Sequence, residues 1–463
     1  MAGTRRLWSF YKGCEMERDA ILEIYHAALK ATDPYIAVKK AVDLKENTLI
    51  INKTEFDLSS FSRVIVIGAG KGTASMAQAV ENVLGNRIDA GLIIVKYAHT
   101  MHLKNIRQVE ASHPLPDMAG VRGTDNIMEL LEKVDDKTLI ICLLSGGGSA
   151  LLVLPAYGIT LEDKQTTTDL LLKSGATIDE LNTVRKHLSK VKGGLLARMA
   201  WPATVVTLIL SDVIGDRLDV IASGPTVPDH STFTDALKIV TNLIEKQGLK
   251  DKFPEGVIDY LRSGVSARVS ETPKEGEPCF NNTYVFIVGS LSQAISAARD
   301  KAEKMGFETK IVTDKLQGEA RYAALYLADA TRETRKSRKD GKPLCLISGG
   351  ETTVTVKGNG LGGRNQELAL AFAVAIEGEE GIMLLSAGTD GTDGPTDAAG
   401  AVVNGATAIN AKQLGLAPEA YLRNNDSYTF FKRLDALSYG KAHFITGPTG
   451  TNVMDMQVIL VEE

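Results

Sequence analysis

The stretch RVIVIGAGKGTASMAQAVENVL, residues 63–84, decides the fold class of this chain. Its apolar start predicts a strand buried on both faces, its glycines predict a tight turn, and residues 73–84 have the spacing of a helix. Apolar runs that end in glycine turns recur at 138–144, 284–288, 343–347 and 382–385, with helical patterns between them. This alternation predicts an α/β fold with mainly parallel sheets, in which ligands bind at the carboxyl ends of the strands.

The length of 463 residues is enough for two domains with separate cores. Residues 271–282, ETPKEGEPCFNN, contain two prolines and little periodicity, so we expect a linker there. This predicts an N-terminal domain over residues 1–270 and a C-terminal domain over residues 283–463.

The composition is that of an ordinary globular protein, with 44% hydrophobic and 24% charged residues. The net charge of −5 argues against a general nucleic-acid binder. No apolar run approaches the roughly 18 residues of a membrane span, and the N-terminus lacks the pattern of a targeting peptide. We therefore expect a cytoplasmic protein with no membrane or nucleic-acid partner. A monomer and a homodimer both stay open as its assembly. The four cysteines form no CxxC pair, which favours reduced thiols.

The turn GAGKGT at residues 68–73 contains Gly68, Gly70 and Lys71. It is not a Walker A loop, because Ile65 stands where the first glycine belongs, and Thr73 replaces the third glycine of a dinucleotide fingerprint. What remains is a glycine turn at a helix start, which favours an anion. The alternative is a plain turn with Lys71 in solvent.

A second loop, SGGGS, follows the strand predicted at 138–144 and comprises Ser145, Gly146, Gly147, Gly148 and Ser149. Successive glycines let the backbone approach a ligand closely, and successive amides form an anion-binding nest.

Asp212 follows the apolar run 204–210, so it lies at the carboxyl end of another strand. A carboxylate there can accept a hydroxyl proton or hold a metal, or it serves only as a turn residue.

Arg364 follows a loop with four glycines and begins a predicted helix. Cations are unfavourable at a helix start, and such violations of a local rule are expected at functional sites. An arginine there suits bidentate binding of phosphate or carboxylate, the alternative being a surface arginine.

Asp390 and Asp393 lie in the loop AGTDGTDGPTD, residues 387–397. Oxygen-rich loops of this kind hold Mg²⁺, or else are hydrophilic turns.

These loops combine cations, backbone amides and carboxylates. The sequence offers no plausible cysteine nucleophile, no GxSxG motif and no histidine metal cluster. Phosphoryl transfer fits this inventory best, because its catalysis consists mostly of positioning and charge stabilisation.

The chain resembles the glycerate 2-kinases of the MOFRL family, some of which have carried the name hydroxypyruvate reductase. The matching segments cover the chain almost end to end: GAGKGTASMA (68–77), SHPLPD (112–117), LLSGGGSALL (143–152), LNTVRKHLSKVKGG (181–194), LSDVIGD (210–216), ASGPT (222–226), ISGGETTVTVKGNGLGGRNQELALAFA (347–373), AGTDGTDGPTDAAGAVV (387–403) and TGPTGTNVMD (446–455).

The resemblance implies two α/β domains, a Rossmann-like N-terminal one and a MOFRL-type C-terminal one, with the active site in the cleft between them. It also implies ATP and Mg²⁺ as cofactors and D-glycerate as the substrate, which becomes 2-phosphoglycerate. The lysine and arginine proposed as catalytic in the family fall on Lys71 and Arg364.

We therefore expect Lys71, Arg364 and Asp212 to be catalytic, with Asp212 or Asp393 accepting the proton of the C2 hydroxyl. Asp390 or Asp393 would hold Mg²⁺. Cofactor binding is assigned to residues of three glycine-rich segments and to one lysine: Gly68, Gly70, Ser145, Gly146, Gly147, Gly148, Ser149, Gly349, Gly350, Glu351 and Lys192. Lys192 and Arg185, in a segment that we expect to be helical, add positive charge or lie on a solvated face.

Three other functions compete with this interpretation. An NAD(P)H-dependent hydroxypyruvate reductase would need the dinucleotide fingerprint that fails at residues 68–73. A kinase acting on the C3 hydroxyl is the second competitor, because unrelated kinase families phosphorylate that group. A sugar-acid sensor without catalysis would need neither the carboxylate-rich loop nor both cations.

Overall fold

The computed structural model describes residues 2–248, 252–338, 341–438 and 441–462. Its contacts divide the chain into two compact units. The central unit is Pro34–Val288, and the terminal unit combines Met1–Asp33 with Gly289–Glu463. Within the described residues, no helix has the length and apolar character that crossing a bilayer requires.

The central unit contains a small antiparallel sheet and a large sheet with strand order β6-β5-β4-β7-β8-β9, in which the pairs from β6 to β8 are parallel. Its strands are β1 (Val42–Lys45), β2 (Thr48–Ile51), β3 (Thr54–Asp57), β4 (Arg63–Ala69), β5 (Ala90–Lys96), β6 (Arg107–Ala111), β7 (Thr138–Leu144), β8 (Thr204–Leu210) and β9 (Thr283–Gly289). The mainly parallel sheet predicted for this part of the chain is confirmed.

The helices of the central unit cover that sheet, and every residue of β7 is buried. They are α2 (Pro34–Ala41), α3 (Thr73–Leu84), α4 (Met118–Leu131), α5 (Gly148–Leu151), α6 (Leu161–Lys173), α7 (Ile178–His187), α8 (Leu195–Ala200), α9 (Phe233–Gln247) and α10 (Glu255–Val265). Burial on both faces explains why these strands are continuous apolar runs rather than alternating ones.

The terminal unit contains a sheet with strand order β10-β11-β15-β12-β13-β14. Its strands are β10 (Glu308–Leu316), β11 (Leu344–Gly350), β12 (Ile382–Gly388), β13 (Gly400–Asn404), β14 (His443–Phe444) and β15 (Asp455–Val461). Its helices are α1 (Ala2–Ala31), α11 (Leu291–Lys304), α12 (Ala320–Ser337), α13 (Arg364–Ala375), α14 (Thr407–Gln413), α15 (Pro418–Arg423) and α16 (Ser427–Ser438).

The prediction of a mainly parallel sheet is wrong for the terminal unit. Among the strands described in this unit, β10 and β11 pair in parallel, whereas the pairs β11–β15, β12–β15, β12–β13 and β13–β14 are antiparallel. The cause is β15, which lies between β11 and β12 and runs against both. A strand that is buried on both faces is a continuous apolar run whether it pairs in parallel or antiparallel. The sequence pattern therefore does not reveal its orientation.

The compact units also differ from the predicted domains. Helix α1 belongs to the terminal unit, because it packs against α11 and β15. The segment 271–282 belongs to the central unit, where Arg198 Nη1 donates to the Glu271 carbonyl at 2.8 Å and Asp229 N donates to the Pro273 carbonyl at 3.0 Å. It is therefore an anchored part of that unit rather than a linker.

Candidate functional site

Two of the predicted loops interlock at the carboxyl ends of the neighbouring strands β4 and β7. The Lys71 amide donates to the Gly146 carbonyl at 2.8 Å, and the Gly72 amide donates to Ser145 Oγ at 3.0 Å. A Cβ atom on Gly70, whose φ is +147°, would stand 2.1 Å from Ser145 Oγ. Ser145 is thus buried as a support for the turn before α3, rather than exposed to a ligand.

Gly147 separates Lys71 from His113. It has a left-handed φ of +86°, and a Cβ atom there would stand 2.9 Å from His113 Cδ2 and 3.4 Å from Lys71 Cγ. Burial lowers the pKa of His113 to about 4, and the positive charges of Lys71 and Lys96 act in the same direction. A neutral imidazole therefore lies beside the predicted catalytic lysine. Sequence reasoning missed it, although the motif SHPLPD contains it.

Lys192 is fully buried and lies outside any helix, so it is not on a solvated face. Its Nζ donates to the Ser149 carbonyl at 2.8 Å and lies 3.5 Å from the Ala222 carbonyl oxygen. Burial lowers its pKa well below the usual range, and the positive charges of Lys164 and Arg185 lower it further. Lys192 therefore holds the loop that contains Ser149.

Gly68, Gly148 and Asp212 complete the predicted residues of the central unit. Gly68 lies inside β4, where a Cβ atom would stand 2.3 Å from the Leu143 carbonyl oxygen. The Gly148 amide donates to the Ser145 carbonyl at 3.1 Å as α5 begins. Asp212 is half-buried just beyond β8, which pairs with β7. The strands β4, β7 and β8 thus bring the three predicted segments to one edge of the sheet.

The terminal unit contains a pocket of about 610 Å³ that is rich in carboxylates. Its charged lining residues are Glu351, Arg364, Glu367, Asp390, Asp393 and Asp455. Gly349 and Gly350 precede it inside β11, where Cβ atoms would stand 2.6 Å from Leu291 Cδ1 and 2.1 Å from the Leu316 carbonyl oxygen, respectively. Close packing therefore accounts for both glycines, whereas Glu351 lines the pocket.

Arg364 is held by two carboxylates of this pocket. Its Nε and Nη2 donate to Asp455 Oδ2 at 2.6 Å and to Oδ1 at 3.0 Å, and its Nη1 donates to Glu351 Oε1 at 2.7 Å. Burial raises the pKa of Asp455 to about 7, although Arg364 acts to lower it. Burial alone would lower the pKa of Arg364, but the charge of Asp455 outweighs it and the pKa rises. Arg364 is therefore a paired side chain and not a simple surface charge.

Asp393 binds the start of α13. Its oxygens accept hydrogen bonds from the amides of Asn365 at 3.0 Å and Gln366 at 2.9 Å, and from Gln366 Nε2 at 3.0 Å. Burial raises the pKa of Asp393, although these hydrogen bonds act to lower it. A Cβ atom on Gly363 would stand 2.2 Å from Asp393 Cγ, so a glycine is required before the helix. Asp393 thus has a clear structural role.

Asp390 Oδ1 accepts hydrogen bonds from the amide and the hydroxyl of Thr392, at 3.1 and 3.0 Å. No group of three or more His, Cys, Asp or Glu side chains in the described part of the chain is arranged to hold a metal ion. Metal binding by Asp390 and Asp393 therefore stays a prediction.

Two further residues of the terminal unit were missed from sequence. Asp455 ends the motif TGPTGTNVMD, but nothing in the sequence pairs it with an arginine 91 positions earlier. Tyr25, on α1, donates its hydroxyl to the Gly388 carbonyl at 2.9 Å and so supports the loop that contains Asp390.

Comparisons with known proteins agree on one family. Residues 20–262 match a domain of unknown function, DUF4147, and residues 344–455 match the MOFRL family. A D-glycerate 2-kinase from Thermotoga maritima is 45% identical over 95% of this chain and 97% of its own length. A protein of Agrobacterium vitis named as a hydroxypyruvate reductase is 39% identical over 96% of this chain and 94% of its own length. The crystal structure of a glycerate kinase from Thermotoga maritima has a TM-score of 0.83 and 42% identity, over 96% of this chain and all of the other.

Proposed function

Because this chain belongs to the glycerate kinase family with a MOFRL domain, we propose that it transfers the γ-phosphoryl group of ATP to the C2 hydroxyl of D-glycerate. The observation that carries the proposal is the similarity to a D-glycerate 2-kinase along nearly the whole of both chains. The interlocked loops and the carboxylate pocket agree with it, because phosphoryl transfer needs positioned cations and amides more than covalent chemistry.

In the central unit, Lys71 would neutralise charge on the transferring phosphoryl group. The loop 145–149 would bind the ATP phosphates through its backbone amides, because three successive glycines let a ligand approach them closely. The amides of Gly70, Lys71 and Gly72 already donate to protein acceptors and support the turn before α3. His113 stays neutral near pH 7, because its pKa is about 4. It therefore adds no positive charge beside Lys71 and can accept a hydrogen bond from it or from a ligand.

Asp212 would accept the proton of the C2 hydroxyl as that oxygen attacks phosphorus. We propose it rather than Asp393, because the oxygens of Asp393 already accept hydrogen bonds from the start of α13. A general base must come within hydrogen-bond reach of its proton, and a half-buried carboxylate at a strand end can do so.

In the terminal unit, we propose a magnesium site in the pocket, because its carboxylate oxygens are suitable ligands for this ion. Mg²⁺ takes oxygen ligands, often one or two carboxylates with waters and substrate phosphates. Asp390 and Glu351 both line the pocket and would hold it. When bound, the ion would supply positive charge to the phosphate oxygens. Arg364, which Asp455 and Glu351 orient, would present its guanidinium to the same kind of anion. That Lys71 and Arg364 act on one phosphoryl group stays a prediction.

The test is the purified chain with ATP, Mg²⁺ and D-glycerate, with ADP release coupled to an indicator enzyme and the product identified by ³¹P NMR. We expect 2-phosphoglycerate and a requirement for Mg²⁺. A parallel assay follows NADH oxidation with hydroxypyruvate. Reductase turnover without ADP release would overturn the proposal, and 3-phosphoglycerate as the product would overturn the choice of hydroxyl.

The cytoplasmic location and the monomer or homodimer belong to the same proposal, and light scattering tests the assembly.

A further inference from the structure

One face of α7 has two polar side chains near the loop that contains Ser149: Asn182 contacts Ser223, and the charge of Arg185 acts on Lys192. Asn182 and Arg185 lie one helical turn apart, so they share a face. Ser223 donates its hydroxyl to Asn182 Oδ1 at 3.1 Å, and the hydroxyls of Ser223 and Ser149 are 3.0 Å apart. The carbonyl of Ser149 accepts from Lys192. Three separate parts of the central unit therefore meet beside Asn182.

Two donors on this face have no protein partner. The Arg185 guanidinium makes no hydrogen bond or ion pair with any residue in the described ranges. Asn182 is 3% exposed, and its Nδ2 likewise donates to no described residue. A half-buried guanidinium without a protein partner is costly, because burial removes part of the water that would otherwise bind it.

Three basic side chains collect here, Lys164, Arg185 and Lys192, and none forms an ion pair within the ranges that the structure describes. The Lys164 ammonium is buried and donates to the carbonyls of Arg185 and Leu188, each at 3.1 Å. Burial lowers the pKa of Lys164 to about 7, with help from Arg185. Burial also lowers the pKa of Arg185, and no carboxylate of the described residues is among the causes that shift the pKa of Arg185, Lys164 or Lys192. A cluster of this kind lacks the anion that would normally compensate it.

The backbone segment that contacts Asn182 is strained. Ala222 and Ser223 have φ values of +50° and +62°, a region that residues other than glycine rarely adopt, and Gly224 follows at +61°. Strain of this kind concentrates at ligand sites, where the surrounding structure holds it in place. Here it directs the Ser223 hydroxyl to Asn182.

We propose that Arg185 and Asn182 form the binding site for glycerate itself, with Arg185 on the carboxylate and Asn182 on a hydroxyl group. A planar guanidinium matches a carboxylate, and an amide with two neighbouring serine hydroxyls matches a polyol. A phosphate of ATP is also an oxyanion, but the loop 145–149 suits phosphates through its backbone amides without these side chains. The inference rests on the proposed function and identifies the residues that select its substrate.

The experiment compares D-glycerate with D-glyceramide, which has the same shape but no charge, in Arg185→Gln and in the parent. Removing a charge-assisted hydrogen bond should raise the KM for D-glycerate by at least about tenfold. We expect the KM for ATP to change by less than about twofold. The preference for glycerate over glyceramide should fall by the same factor by which the affinity for glycerate falls. Arg262→Gln is the matched control, because Arg262 is an exposed arginine on α10 of the same unit.

Arg185→Lys keeps the positive charge and is a second variant in case Arg185→Gln misfolds. Its KM for D-glycerate should lie between those of the parent and Arg185→Gln. A raised KM for ATP with an unchanged preference for glycerate would assign Arg185 to the nucleotide and overturn the proposal. Unchanged KM values for D-glycerate and ATP would show that Arg185 is a solvated arginine. That result would also overturn the proposal. Calorimetry with D-glycerate and a non-hydrolysable ATP analogue separates this proposal from the kinase assignment. Glycerate binding that depends on Arg185 would support the site even if no phosphoglycerate forms, whereas no binding to the parent overturns it.

Discussion

Arg364 and Asp455 form a bidentate ion pair, with Nε–Oδ2 and Nη2–Oδ1 distances of 2.6 and 3.0 Å, although they are 91 residues apart in the chain. Asp455 is buried as the first residue of β15, whereas about a third of the Arg364 side chain is exposed. The pair therefore ties the start of α13 to the centre of its sheet and orients the guanidinium at the edge of the pocket.

Replacing Arg364 with alanine should reduce both activity and stability. We expect kcat to fall by about 10²–10³, the usual cost of losing a group that stabilises transition-state charge. The free energy of unfolding should fall by about 2 kcal/mol, because Asp455 is left buried without its partner and solvent screens only part of the loss. Kinetics and urea denaturation measure the two effects.

The double variant Arg364→Ala/Asp455→Asn separates them. It should recover much of the stability, since a neutral amide is less costly to bury, and none of the activity. Full stability in Arg364→Ala alone would mean that the ion pair does not form in solution. Arg364→Lys should stay inactive, because an ammonium group cannot reproduce the planar fork.

Replacing Lys71 with methionine should affect activity alone. Its side chain is only half-buried, and the turn is held by its backbone amide, which the substitution keeps. We predict a fall in kcat of about 10²–10³ with an unchanged unfolding midpoint. Lys137→Met, at an exposed position, is the control and should retain full activity. A kcat within a few-fold of the parent would remove Lys71 from the catalytic residues.

His113 should titrate far below an ordinary histidine. NMR of its ring carbons should give a pKa of about 4. Lys71→Met should raise this pKa, since one neighbouring positive charge disappears, but not to 6.5, because burial is the larger cause. The unfolded chain binds this proton more readily between pH 6.5 and 4, so stability should fall as pH falls through that window. A pKa near 6.5 in the parent would show that His113 is solvated and away from Lys71.

Asp390 and Asp393 should respond differently to substitution. Asp393→Ala leaves the first amides of α13 without acceptors and should lower the free energy of unfolding by about 1–3 kcal/mol. Asp390→Asn should leave the melting temperature unchanged and raise the Mg²⁺ concentration needed for half-maximal rate by about tenfold or more. If Asp390→Asn lowers stability and Asp393→Ala instead raises the Mg²⁺ requirement, Asp393 is the metal ligand and Asp390 the structural residue.

The parts of the fold that depend on neighbours in sequence could be predicted. The helix expected at 73–84 and the strand expected at 138–144 have those bounds in the structure, because glycine turns mark their ends. The placement of both glycine loops at strand ends follows from the same pattern. The family resemblance supplied the activity, which similarity to a D-glycerate 2-kinase supports.

What could not be predicted depends on contacts between distant residues. The orientation of β15 is set by its position between β11 and β12, and an apolar run does not encode it. The support of the Asp390 loop by Tyr25 joins residues 363 positions apart. Asp393 illustrates the same limit at the site, because its spacing in an acidic loop is typical of metal ligands while its actual contacts are with helix amides.

The position of α1 in the terminal unit has a consequence for synthesis on the ribosome. Its inner face includes Ile21, Ile24, Tyr25 and Ala28, all fully buried, and its main helical partner α11 begins only at Leu291. At translation rates of 5–20 residues per second, the nascent chain carries this apolar face without its partner for roughly 10–50 s. During that interval the helix is a natural target for chaperones, and slowing elongation across the central unit should increase aggregation.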